Sequence, residues 1–271
     1  MLFKSKRSKS LEKELSIANL QSLEYAHDLS ILFREAKAQK IELLNTNNQL
    51  KKYADDLRKT VSILKAVNNE LQEAYYDTIQ RLVIAVEYKD QFTGQHIVRM
   101  SKYSALIAEK CGLPEQEVLN ILYAAPMHDV GKIGIPDSII TSPNKLTPAE
   151  FAIMKRHTII GSEILDNAKS KILKIARQIA LSHHEKWDGT GYPFGLKEDK
   201  IPLAGRIVAL ADTFDVLTSK RSYKDPFPID YAVDIIKKNS GKHFDPALVD
   251  VFIKNLDQIV KINVDVAAYE D

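Results

Sequence analysis

The sequence predicts an all-α protein, and three observations carry that prediction. Apolar residues recur at helical three- and four-residue spacing in one segment after another. No run alternates clearly enough to make a sheet. All ten glycines and all ten prolines lie beyond residue 90, so the first 75 residues contain neither helix breaker. This shift in composition marks a boundary. Residues 1–74 are expected to form a helical coiled-coil segment for dimerisation or signalling, and residues 75–271 the folded domain.

Taken in order, the N-terminal part opens with Lys4, Lys6, Arg7, Lys9 and Lys13, a basic run read as a disordered, solvated tail. Leu15, Leu20, Leu29, Ile31 and Phe33 follow without a regular repeat, and a break or bend is expected upstream of residue 40. Leu43, Leu50, Leu57, Leu64 and Leu71 then recur every seven residues, each followed four positions later by Asn47, Ala54, Val61, Asn68 and Tyr75. Such a heptad seam pairs with a second helix, and a buried Asn favours a dimer in fixed register. A homodimer through residues 43–75 is expected, with a signalling protein as a further partner.

The domain reads as helix after helix. Residues 76–90 carry Ile79, Leu82, Val83 and Val86 at helical spacing, and 95–111 carry Ile97, Met100, Tyr103 and Ile107, closed by Gly112 and Pro114. Further helices are expected over 115–127, 148–168, 171–186, 203–220 and 229–239. Thr147-Pro148-Ala149-Glu150 has the order of an N-cap, a Pro at the first helical position and a Glu three residues after the cap. Segments 131–148 and 188–205 are the expected loops.

The bulk properties exclude several classes. With 38 Lys and Arg against 36 Asp and Glu, the net charge of +2 gives no case for a nucleic-acid polymer as partner. No stretch approaches the ~18 apolar residues that span a bilayer, and no apolar core follows the basic N-terminus as in a signal peptide. Cys111 is the only cysteine, which excludes an internal disulfide and a thiolate-rich zinc site. A cytoplasmic protein is expected.

Five of the seven histidines fall between residues 96 and 184, in company with acids: His96, His128-Asp129, His157, His183-His184, then Asp212. Imidazoles and carboxylates are the ligands of divalent transition metals. Any one of these histidines alone is better read as structural. The ordered set points to a polynuclear metal centre assembled by the fold. Gly131 and Gly134 are read as permitting a tight turn that brings Lys132 back toward it. His27 and His243 are left out of the set, and Trp187 is read as packing.

His128-Asp129-Val130-Gly131-Lys132, His183-His184-Glu185 and Asp188-Gly189-Thr190-Gly191-Tyr192-Pro193 together resemble the HD-GYP family, a branch of the HD phosphohydrolases. The resemblance runs over roughly residues 75–255 and takes in Ile135-Pro136-Asp137, Arg221-Ser222-Tyr223-Lys224 and Phe244-Asp245-Pro246. It implies an HD-type helical bundle that hydrolyses the bacterial second messenger cyclic di-GMP with iron or manganese. By the same resemblance His96, His128, Asp129 and Asp212 hold one ion, and His157, His183, His184 and again Asp129 the other. Family members with three metals carry a Glu four residues before the first of these histidines; here Phe92 stands in that place, so two divalent ions per chain are expected.

Two cations would neutralise phosphate oxygens and acidify a bridging water to the attacking hydroxide, with pGpG, GMP or both as products. Asp129 and Lys132 are the expected catalytic residues, Lys132 gripping a non-bridging phosphate oxygen. Asp90, Asp215, Arg221 and Lys224 match positions that the family uses around its ligand. Gly191, Tyr192 and Pro193 shape the site or meet a partner. Glu185 and Asp188 either orient the histidines or cap the loop. Two alternatives stand beside the phosphodiesterase: a non-catalytic cyclic di-GMP receptor that signals through the coiled coil, and a phosphohydrolase of another cyclic dinucleotide.

Overall fold

The computed structural model describes residues 2–87, 94–219 and 225–267. Among them there is no β-strand, only an isolated bridge between Ser240 and Phe244, so the all-α class holds. The chain divides into two units, Met1–Leu71 and Gln72–Asp271. No helix among the described residues is long and apolar enough to cross a membrane.

The first unit is one helix. Helix α1 runs unbroken over Leu2–Glu87, and its last turns belong to the second unit. Two expectations are corrected here. The basic run is helical rather than a loose tail, and no break occurs upstream of residue 40. Without Gly or Pro, nothing in this stretch interrupts the backbone ladder. The seam leucines Leu43, Leu50, Leu57, Leu64 and Leu71 are 51–70% exposed in the single chain.

The second unit is built around α2 (Gly94–Lys110), whose predicted apolar row Ile97, Met100, Tyr103 and Ile107 is fully buried. Truncating one of the aliphatic members to Ala would cost ~2–5 kcal/mol. Helix α2 packs against α3 (Glu115–Ala124), α8 (Leu203–Thr218) and α11 (Leu256–Ala267). Tyr103 meets Phe214 edge-on at 5.4 Å, and Phe214 meets Phe252 of α10 (Pro246–Lys254) at 5.1 Å. Both C-terminal helices went unread in the sequence, although Asp245 caps α10 and Pro246 opens it.

The remaining elements differ from expectation mainly at their ends. His128-Asp129 lies within a 3-10 helix, Ala125–Gly134, rather than where a helix meets a loop. The segment expected as a loop after it contains the short α4 (Asp137–Ile140). The helix expected over 148–168 is two, α5 (Pro148–Met154) and α6 (His157–Ile164). Thr147 and Glu150 form a full capping box at the start of α5. Helices α7 (Lys171–Ser182) and α9 (Ile229–Lys238) lie within their expected spans.

Gly131 and Gly134 owe their place to packing rather than to a turn. A Cβ on Gly131 would collide with the His157 carbonyl and the Gly161 amide, and one on Gly134 would press on Ile160. The 3-10 helix therefore lies directly on α6 and brings Asp129 against His157.

Candidate metal centre

The seven residues singled out in the sequence converge in two groups. Asp129, His157, His183 and His184 form one, and His96, His128 and Asp212 the other, with the ligand atoms of each group within 4.8 Å of one another. The groups adjoin: the His128 and His183 rings are 5.2 Å apart. Asp129 faces both. Its Oδ2 is 3.2 Å from His128 Nε2, and its Oδ1 is 3.3 Å from His157 Nε2 and 3.4 Å from His183 Nε2.

Backbone carbonyls set the tautomers. His128 Nδ1 donates to Ala125 O at 3.2 Å, His157 Nδ1 to Met154 O at 2.7 Å, and His183 Nδ1 to Ile179 O at 3.0 Å. A carbonyl oxygen only accepts, so each Nδ1 carries the proton and each Nε2 turns a lone pair inward. His157 Nε2 and His183 Nε2 then face each other at 3.4 Å. Asp129 Oδ1, buried between them, has no hydrogen-bond partner. Converging lone pairs around an unpartnered buried carboxylate oxygen are what a cation would satisfy, so the residues fit a metal ion.

The electrostatics agree. Burial pushes His157 down to about 4 and His184 well below its usual value, which keeps both neutral and able to ligate at pH 7. Burial works against the Asp129 carboxylate, but the Lys132 ammonium and the His128 ring outweigh it and hold its pKa well below the usual carboxylate range. Lys132 Nζ lies 2.7 Å from Asp129 Oδ2, so the lysine does turn back onto the centre.

The Gly191-Tyr192-Pro193 loop packs on the ligands. The Tyr192 ring stacks on His184 at 4.7 Å, and Lys155 Nζ sits 5.3 Å from its centroid, with Phe151 edge-on at 6.1 Å. Tyr192–Pro193 is a cis peptide. A Cβ on Gly191 would strike the backbone of His184, Glu185 and Lys186, so only glycine permits this approach. Glu185 holds the far side of the loop, accepting from Phe194 N at 2.8 Å and Leu196 N at 3.0 Å. Asp188 accepts from Thr190 N and Oγ1. Both acids therefore cap the loop rather than orient the histidines.

One expected substrate contact is corrected. Asp215 is fully buried, and its carboxylate accepts from His96 Nδ1 at 2.8 Å and from Arg99 Nε at 2.6 Å, so it backs a candidate ligand instead of facing a substrate. Asp90, Phe92, Arg221 and Lys224 lie outside the described residues. His243 stacks on Phe244 at 4.3 Å and belongs to neither group. Trp187 packs beneath the Arg206 guanidinium at 5.5 Å. Arg99 escaped the sequence reading, although it lies one helical turn beyond His96.

The family model for the HD domain matches residues 81–248. The chain belongs to the HD-domain family. Its His128-Asp129 and Gly191-Tyr192-Pro193 motifs place this HD-domain protein in the HD-GYP branch. A Thermotoga maritima protein named cyclic di-GMP phosphodiesterase is 45% identical over 206 residues, covering 74% of this chain and 56% of that one. A Vibrio cholerae protein named 3'3'-cGAMP-specific phosphodiesterase 2 is 43% identical over 193 residues, covering 71% of this chain and 37% of that one. The HD-domain chain thus spans less than two thirds of the length of either relative. A crystal structure of a cyclic GMP-AMP-specific phosphodiesterase from V. cholerae matches it with a TM-score of 0.51 at 21% identity, over 69% of this chain and 50% of that chain, a likeness of fold.

Proposed function

We propose that the chain is a phosphodiesterase that opens cyclic di-GMP to pGpG, GMP or both, using two divalent ions per chain, iron or manganese. The observation that carries this reading is Asp129, a single carboxylate with one oxygen toward His128 and the other toward His157 and His183. His96, His128, Asp129 and Asp212 would hold one ion, and His157, His183, His184 and Asp129 the second. Mixed imidazole and carboxylate donors suit both metals. When bound, the ions supply positive charge beside a phosphodiester and lower the pKa of nearby water toward ~7.

The chain's own residues divide the remaining work. Asp129 stays ionised beside Lys132 and so keeps the two groups joined. Lys132, already at the centre, offers its ammonium to a non-bridging phosphate oxygen and offsets the charge that builds there. Tyr192, stacked on His184, holds that ring in place. Asp90, Arg221 and Lys224 are assigned to the nucleotide, where an Arg forks onto phosphate or stacks on a guanine. Residues 1–74 serve dimerisation or signalling and 75–271 catalysis, in the cytoplasm, where a second messenger acts.

A second reading, hydrolysis of 3'3'-cGAMP, is favoured by one observation. Relatives named for the two substrates match this chain at 45% and 43% identity. Anaerobic turnover of both dinucleotides with iron or manganese, run beside Asp129→Ala, tests the proposal. Cyclic di-GMP turnover that the variant abolishes is the expected result. Turnover of 3'3'-cGAMP alone would select the second substrate. Retention of cyclic di-GMP without cleavage would make the chain a receptor and overturn the reading.

A further inference from the structure

A buried ion pair lies one helical turn behind the His96–Asp212 group. His96 and Arg99 are three residues apart on α2, and Asp212 and Asp215 three apart on α8, so each pair shares a helix face. The outer layer is the candidate ligand pair, with His96 Nε2 3.6 Å from Asp212 Oδ1. The inner layer is the ion pair. Asp215 Oδ1 accepts from Arg99 Nε at 2.6 Å. Its Oδ2 accepts from Arg99 Nη2 at 3.0 Å, from His96 Nδ1 at 2.8 Å and from the Ser219 hydroxyl at 3.1 Å. The same guanidinium donates to Ser219 Oγ at 2.7 Å and to Gln95 Oε1 at 3.2 Å.

Arg99 is 5% exposed and Asp215 not at all. Taking two charges out of water costs about what their attraction returns, so a buried ion pair contributes little stability over apolar residues of similar volume. What such a pair does supply is geometry. A planar guanidinium bonded to both oxygens of a carboxylate fixes that carboxylate's position and orientation. Asp215 Oδ2, held from three sides, in turn fixes the plane of the His96 ring. Because the pair bolts α2 to α8 one turn from both ligands, it also fixes how far His96 stands from Asp212.

We propose that Arg99 and Asp215 are positioning residues that set the His96–Asp212 gap and thereby the affinity of this half of the centre for its ion. The proposal rests on the metal-centre reading and concerns only one of the two groups. The hydrogen bonds of the pair run to His96, Gln95 and Ser219, on the side of the His96–Asp212 group.

The test is a manganese titration of the full chain under anaerobic conditions, counting tight sites by equilibrium dialysis. Arg99→Met alone leaves Asp215 buried and uncompensated and risks misfolding, so the deciding variant is Arg99→Met combined with Asp215→Leu. Apolar replacement of the whole pair avoids a buried uncompensated charge, and the orphaned His96 Nδ1–H should lower the melting temperature only modestly. One tight site should nonetheless weaken by about tenfold to a hundredfold, the usual effect of losing a residue that orients a ligand, while the other is unchanged. Arg99→Lys, which keeps the charge but not the fork, should show an intermediate loss at the same site. A histidine-resolved nitrogen NMR spectrum of the metal-free double variant should show the His96 Nδ1 proton shifted from its wild-type position. A double variant that folds cooperatively and binds two ions as tightly as wild type overturns the proposal and leaves the metal-centre reading standing. Wild-type protein that binds no metal overturns both.

Discussion

Glu185 follows two candidate ligands directly, yet its carboxylate points away from them and takes the amides of Phe194 and Leu196. Removing it leaves two loop amides without their acceptor and frees the segment that carries Tyr192. Glu185→Ala should therefore lower stability by roughly 1.5–3 kcal/mol, the worth of hydrogen bonds to a charged group. Turnover should fall with it, and denaturant melts beside initial rates would show both; unchanged turnover would deny the loop a part in the centre. At this scale the sequence was most legible where residue type alone is informative. Histidines ordered with acids are rare enough to be recognised without contacts. Asp215 and Arg99 were not legible in the same way, because what defines them is a partner more than 110 residues distant. Asp215 matched a position that the family uses around its ligand, and only its burial corrects that.

The break between α5 and α6 has a chemical use. Helix ends leave carbonyls without amide partners, and one histidine support comes from such a place. Met154, the last residue of α5, gives its carbonyl to His157 Nδ1, whereas Ile179, in the last turn of α7, shares its carbonyl between the His183 amide and His183 Nδ1. The sequence showed where α5 begins, through its capping box, but not where it ends, since Lys155-Arg156 contains neither Gly nor Pro. The 3-10 helix was illegible for a related reason: its glycines looked like turn residues, and only the nearness of α6 shows what they do. Along α1 the heptad was legible, and its leucines are exposed in the single chain. If the exposed leucines form the seam of a dimer, replacing Leu57 and Leu64 together by Asp should give a monomer by light scattering. Wild-type chain that already runs as a monomer would sink that idea.

For the molecule as a whole, the buried neutral histidines tie folding to pH. An unfolded imidazole titrates near 6.5, whereas His157 and His243 are held at about 4 and His184 well below its usual value, in each case chiefly by burial. Between these limits the unfolded chain binds protons that the folded chain refuses, so acid favours unfolding. Metal-free protein should lose melting temperature steadily from pH 6.5 to about 4; a flat profile over that range would contradict the burial of these rings. Asp129 and Asp215 act in a lower window: their depressed pKa values stabilise the fold above the usual carboxylate range, and that share is lost as pH falls further. The inward lone pairs of the histidines have one more outcome. Nitrogen and oxygen donors of this kind hold zinc and copper more tightly than manganese or iron, so in the proposed centre supply rather than preference would decide the ion. Batches of the same chain grown on different broths should then differ in colour and in rate, and the trace-element recipe of the culture becomes a reagent of the assay.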